Sequence, residues 1–129
     1  MKTNFYIDPD ISKAETLPAD FYRNETIFEK VKETVFMNSW QFVGDTSLLP
    51  FEKYAYPFSY LEHFVNEPLV LVKQVDGEVK CMSNVCTHRG SIVVQQAGKQ
   101  RGLNCMYHGR KFSLAGEFEH MPEFQEALD

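Results

Sequence analysis

The 129-residue chain has no apolar run approaching the ~20 residues of a membrane-spanning helix; stretches such as PLVLV at 68–72 are the size of a strand. It is short of positive charge, with 13 Lys and Arg against 18 Asp and Glu and a net charge of -5, which argues against the basic footprint of a nucleic-acid binder. Cysteine is scarce as well. The three present, Cys81, Cys86 and Cys105, are an odd number and form no disulfide framework, so burial or metal binding is the better account of them. The opening MKTNFYIDPD is polar and lacks a signal-peptide pattern, and no repeat or low-complexity tract occurs. These absences predict a cytoplasmic protein with no membrane and no nucleic-acid partner, one ordinary domain in length.

What is present reads as a short helical start followed by an all-β unit. The first twenty or so residues, with two prolines and few regular apolar intervals, are expected to be an irregular arm. In TIFEKVKETVF (26–36), Thr26 and Glu29 form a capping box, and Ile27, Phe28, Val31 and Val35 recur at helical spacing. That predicts one amphipathic helix running to about Met37. After Trp40, short segments rich in Val, Phe and Tyr are punctuated by Gly, Pro and Asn, the texture of small antiparallel sheets. The expected division is therefore 1–39 for arm and helix and 40–129 for a mainly β domain.

In LVLVKQVDGEVKCM (69–82), Asp76-Gly77 is predicted to be a two-residue hairpin turn with both residues at positive φ. Val79 and Cys81 share a strand face opposite Lys80 and Met82, which predicts Cys81 as a small buried residue. A second hairpin is expected in FSLAGEF (112–118), bending at Ala115-Gly116. Trp40 and Phe42 are expected to be core or sheet-packing residues and not part of a substrate box.

The chemistry lies in NVCTHRGSIVV (84–94) and LNCMYHGRKF (103–112). Together they hold C-x-H, sixteen intervening residues, then C-x-x-H: Cys86, His88, Cys105 and His108, on loops at the ends of predicted strands. Two soft thiolates and two imidazoles suit either one tetrahedral zinc or a [2Fe-2S] cluster. Structural zinc favours pairs two to four residues apart, and C-x-H is tighter than that. A cluster would instead take two cysteines on one iron and two histidines on the other. Neutral imidazoles in place of two thiolates make its reduction easier.

The pair CTHRG and CMYHG resembles the Rieske iron-sulfur motif, in the form found in large subunits of Rieske non-heme iron oxygenases. The resemblance extends to LPADFYRNETIFEKVKETVFMNSWQFVG (17–44), like the arm and helix of those subunits, to EPLVLVKQVDGEVKCMSNVCTHRG (67–90), like their first sheet and loop, and to YHGRKFSLAGEF (107–118), like the second loop and its hairpin. It implies that Cys86, His88, Cys105 and His108 hold a Rieske-type 2Fe-2S cluster, each histidine through one ring nitrogen, with the outer nitrogen facing the next redox centre. It implies electrons arriving from a ferredoxin or flavin reductase and leaving for a mononuclear non-heme Fe(II) in an oxygenase catalytic domain, in a homo-oligomeric full-length protein.

That iron belongs to a domain absent here, since His63 and His120 are widely separated and read as surface histidines. Because the family's large subunits continue well past the second loop, MPEFQEALD (121–129) is expected to be an interruption, and the chain alone to be redox-active but catalytically incomplete. Rieske proteins of respiratory and photosynthetic complexes carry an extra cysteine pair where Ser91 and Tyr107 stand, and hydroxyl residues where Arg110 and Phe112 stand. Their absence predicts a low potential within the Rieske range. Gly90 and Gly109 are expected to adopt positive φ or to bring N–H groups to sulfur. Arg89 and Arg110 are expected to be solvated or locally paired, with a carboxylate across a subunit interface as the alternative. Two further readings remain at this point: a free-standing Rieske ferredoxin and a zinc-stabilised binding module.

Overall fold

In the computed structural model, which describes residues 5–123, the chain divides into two compact units, Met1–Phe42 and Val43–Asp129. Residues 124–129, where the expected interruption of the chain falls, lie outside the description.

The first unit holds a short helix α1 (Ala19–Arg23) ahead of the expected one, α2 (Glu25–Thr34). Asn24 joins them. Its N–H donates to the Asp20 carbonyl, closing α1, while its extended backbone lets its side-chain oxygen accept from the Ile27 N–H at 3.2 Å, opening α2. The N-cap is therefore Asn24 and not Thr26, because an asparagine two residues earlier already satisfies the first-turn donor. Glu29, freed from a capping box, pairs with Lys32 at 3.0 Å. The helix also stops three residues before Met37. Asn38 Nδ2 donates to the Glu33 carbonyl at 2.7 Å, and residues Phe36–Asn38 tighten into a 3-10 turn. Of its four periodic apolar residues, Ile27 and Val31 are half-buried while Phe28 and Val35 are exposed.

The second unit carries a four-stranded antiparallel sheet, β1 (Tyr54–Tyr60), β2 (Glu67–Lys73), β3 (Val79–Ser83) and β4 (Gly98–Lys99), in the order β3-β2-β1-β4. A three-stranded sheet follows, β5 (Leu103–Asn104), β6 (Lys111–Phe112) and β7 (Phe118–His120), in sequence order. β2 is covered most completely: Val70, Leu71 and Val72 are all buried, as a continuous apolar run between two neighbours requires. Two prolines fit this sheet because neither removes a ladder bond. Pro57 lies beyond the two residues of β1 that pair with β4, and Pro68 lies beyond the residues of β2 that pair with β3. The core joins both sheets through Ala55, Val70, Val72, Val94, Leu103 and Phe112, and it includes Cys86 and Cys105.

Both expected hairpins form, with a different turn. Gln74 N–H donates to the Glu78 carbonyl at 2.7 Å and Gly77 N–H to the Gln74 carbonyl at 3.2 Å; only Gly77 takes a positive φ, +88°, while Asp76 accepts the Glu78 N–H. The connection is thus a longer loop with one left-handed residue, because Lys73 pairs with Val79 and leaves five residues between the strands. The 113–117 turn repeats the same two bonds, Ser113 N–H to Glu117 and Gly116 N–H to Ser113.

Two expectations about burial are corrected. Val79 and Cys81 do share a face, but it is the outer face of an edge strand: Cys81 is exposed while Lys80 and Met82 are half-buried. Alternation sets which residues share a face and not which face is covered. Trp40 and Phe42 are 101% and 88% exposed, and residues 39–45 belong to no strand.

Candidate metal centre

The two cysteine-histidine segments are loops of one design. Val85 bridges Ile92 across the first, and Asn104 pairs with Lys111 across the second, so each cysteine sits one residue after a paired position and six before its partner. In each loop the cysteine N–H donates to the carbonyl five residues on, Ser91 or Arg110, at 2.8 Å. Its carbonyl accepts from the glycine four residues on, Gly90 or Gly109, at 3.0 Å. Both glycines adopt the left-handed conformation, at φ +70° and +72°, which lets the N–H turn back to the cysteine carbonyl in so short a loop. The unequal spacing C-x-H and C-x-x-H therefore reflects no difference in loop length. His88 and Tyr107 occupy the same position of the shared loop, and so do Arg89 and His108.

Each sulfur sits in a cradle of backbone donors, again by the same rule. Cys86 accepts from the N–H groups of His88 and Arg89, and Cys105 from those of Tyr107 and His108. The expected donors, Gly90 and Gly109, instead bond the cysteine carbonyls. The two thiols are free, hydrogen-bonded to each other, and only 2% and 3% exposed. Burial and then the neighbouring thiol push the Cys86 thiol up. Burial acts on Cys105 in the same sense, but its hydrogen bonds, including one from the Ser91 hydroxyl, outweigh it and hold that thiol below the usual range.

The imidazoles form a second pair on the outer side. The rings of His88 and His108 approach edge-on, with centroids 4.9 Å apart and planes at 72°; His88 is half-buried and His108 exposed. Burial, and then the charges of His108, Arg89 and Arg110, depress the basicity of His88. Tyr107 lies over His108 with centroids 3.9 Å apart. The donor set thus separates into a sulfur pair and a nitrogen pair, and among the described residues no three His, Cys, Asp or Glu side chains are arranged around one ion. This donor chemistry fits a cluster whose two irons take different ligands.

Around the loops, Arg110 is held locally, its guanidinium 4.4 Å from the Phe118 ring centroid and donating to the Met121 sulfur at 3.8 Å; Arg89 is exposed. His63 and His120 are exposed, as expected of surface histidines. Asn84 was not singled out by its sequence. It is the one buried polar residue among those described, and its side chain bonds both the N–H and the carbonyl of Val94 at 2.8 Å. Its backbone carbonyl also accepts from Val93, so the segment leaving the first loop is pinned to the segment entering it. An asparagine two positions before Cys86, at the end of a predicted strand, is the only signal of this in the sequence.

Comparison with known proteins agrees with this geometry. The family model of the Rieske [2Fe-2S] domain matches residues 39–128. The large oxygenase component of the naphthalene 1,2-dioxygenase system of Pseudomonas aeruginosa is 35% identical over 112 residues, 82% of this chain and 24% of that protein. The carnitine monooxygenase oxygenase subunit of Escherichia coli K12 is 35% identical over 119 residues, 91% of this chain and 30% of that protein. Among solved structures, the quaternary ammonium Rieske monooxygenase CntA with L-carnitine superposes at a TM-score of 0.78, with 28% identity over 90% of this chain and 33% of that chain. Naphthalene 1,2-dioxygenase with indole bound gives 0.71, with 29% identity over 82% of this chain and 24% of that chain. The chain spans between a quarter and a third of the length of these relatives. With the family model running through both cysteine-histidine loops and the match continuing into oxygenase subunits, the chain belongs to the Rieske [2Fe-2S] domain family.

Proposed function

We propose that this chain is the electron-entry part of a Rieske non-heme iron oxygenase, with Cys86 and Cys105 holding one iron of the cluster and His88 and His108 the other. It takes single electrons from a ferredoxin or flavin reductase and passes them to a mononuclear non-heme iron in a catalytic domain outside this chain. The observation that carries the reading is the separation of buried, hydrogen-bonded thiols from an adjacent, outward pair of imidazoles. A single tetrahedral zinc would want all four donors around one point.

When bound, a Rieske cluster supplies reversible one-electron transfer at a potential raised by its neutral ligands. The residues of the chain do the rest. Cys86 and Cys105 bind as thiolates, and the four N–H groups aimed at them offset negative charge that burial would otherwise penalise. Burial of the sulfur side keeps water from the thiolates, while the exposed His108 gives electrons and protons a route to the surface. Asn84 and the two loop glycines keep the donor pairs in register, so little reorganises as charge moves.

A reducing, cytoplasmic setting is part of the proposal. It is supported by an odd number of cysteines that forms no disulfide framework. The boundary between arm and cluster domain is placed at 39/40, supported by the start of the family match at residue 39 and of the second compact unit at Val43. Iron and acid-labile sulfide analysis, with low-temperature spin resonance of the reduced chain, tests the reading. The expected result is two irons and two sulfides per chain with a rhombic signal; equimolar zinc without sulfide would reject it.

A further inference from the structure

Carboxylates outnumber cations 18 to 13 along the chain, yet at one place on the second unit the balance is reversed. A groove of about 840 Å³ there is lined by Lys53, Lys73, Lys99 and Arg101 against only Glu52 and Asp76. Three segments build it, and their main chains are stitched together. The Lys53 N–H donates to the Lys73 carbonyl at 2.8 Å and the Lys53 carbonyl accepts from the Gln100 N–H at 2.7 Å, with Lys53 itself in the left-handed region at φ +57°. Two of the cations are also held by their side chains: half-buried Lys73 donates to the Leu49 carbonyl at 3.3 Å, and the Lys99 ammonium stands 4.9 Å from the Phe51 ring centroid. Among the described residues none of the four is in an ion pair. Like charges gathered without counter-charges repel one another, so the groove favours an anionic occupant. It lies at the end of the sheet away from the first cysteine-histidine loop, because β3 runs from Val79, opposite Lys73, to Ser83, which leads into that loop.

We propose that this groove docks an acidic protein segment, a partner surface that carries carboxylates around an apolar side chain. Docking here requires no cluster. Two features favour a protein over a small oxyanion. The main-chain N–H groups of Lys53, Gly77 and Gln100 are all taken by carbonyls within the chain, so these residues offer no nest of donors to a phosphate. Phe51 and Val75, 55% and 59% exposed, line the same groove, and an exposed aromatic ring beside an arginine is the composition of an interface core, with the lysines as its polar rim. The groove is where an acidic partner gains attraction from a chain whose net charge of -5 otherwise repels it, which fixes the orientation of docking.

The test titrates the isotope-labelled full chain with a glutamate-rich peptide carrying one central leucine, in parallel with inorganic phosphate and with oligothymidylate. Physiological ionic strength is used, at which charges more than about 8 Å apart are largely screened. The peptide should shift the amide resonances of residues 50–53, 73–77 and 99–101 and saturate. K53E/K99E should weaken its binding about tenfold, since two attractive contacts become repulsive. F51A should weaken it as well. R23E/K30E places the same change of charge on exposed residues of the first unit and should leave binding within about twofold of wild type. Should charge reversal disturb folding, K53Q/K99Q gives the same reading with a smaller loss. Absence of saturable shifts, shifts spread over the surface, or an equal loss in R23E/K30E would overturn the proposal. So would phosphate or oligothymidylate filling the groove more tightly than the peptide, or an F51A that binds the peptide like wild type, since the apolar anchor would then be missing.

Discussion

Replacing Asn84 by alanine removes the partners of the Val94 N–H and carbonyl together. Buried polar groups left unpaired cost about 1–3 kcal/mol each, so Asn84→Ala should lower stability by a few kcal/mol in urea unfolding and reduce the fraction of chain that retains iron. At His108, one of the proposed ligands, the effect is electrostatic. In His108→Cys, an anion replaces a neutral donor, and the midpoint of any assembled cluster should fall. An unchanged midpoint in a fully loaded variant would remove His108 from the ligand set. At this scale the sequence was informative where chemistry is local: four ligand-type residues in two glycine-flanked loops are visible by spacing alone. The role of Asn84 was not, because its side-chain partner lies ten residues away.

Among the elements, the 113–117 turn is tightly constrained. Gly116 sits at φ +88°, and a Cβ there would come within 2.7 Å of Met82 Sδ. Gly116→Ala should therefore cost roughly 1–3 kcal/mol, read as a lower unfolding midpoint, and the bulge between Lys111 and Phe112 would transmit the disturbance to the second loop. Asn24→Ala should cost about 1 kcal/mol of local helix stability, seen as faster amide exchange in the first turn of α2, with the cluster spectrum unaffected. Hairpins and helix were foreseeable because glycine, asparagine and apolar periodicity act over a few residues. Cap and turn details were not, since Thr26 and Asn24 compete for the same donors and the strand register decides how many residues a turn must span.

Across the whole second unit, the two proposed sulfur ligands belong to the core. Cys86 and Cys105 lie in one buried cluster with Val70, Val72 and Phe112, so a metal held by them would couple binding to folding. Anaerobic removal of iron by a chelator should lower the thermal midpoint of this unit measured by calorimetry, and reconstitution should restore it. Phe112→Ala should destabilise by roughly 3–5 kcal/mol and lose the cluster with the core.

Spacing and residue chemistry were sufficient, on their own, to single out four candidate ligands, the two hairpins and the small-sheet architecture, since each depends on neighbours close along the chain. Which face of β3 is covered, and that two unequal motifs are one loop used twice, were decided only when distant segments came together. Burial and cross-loop hydrogen bonds are properties of pairs of segments, and a linear pattern carries the preference of each segment but not the identity of its partner.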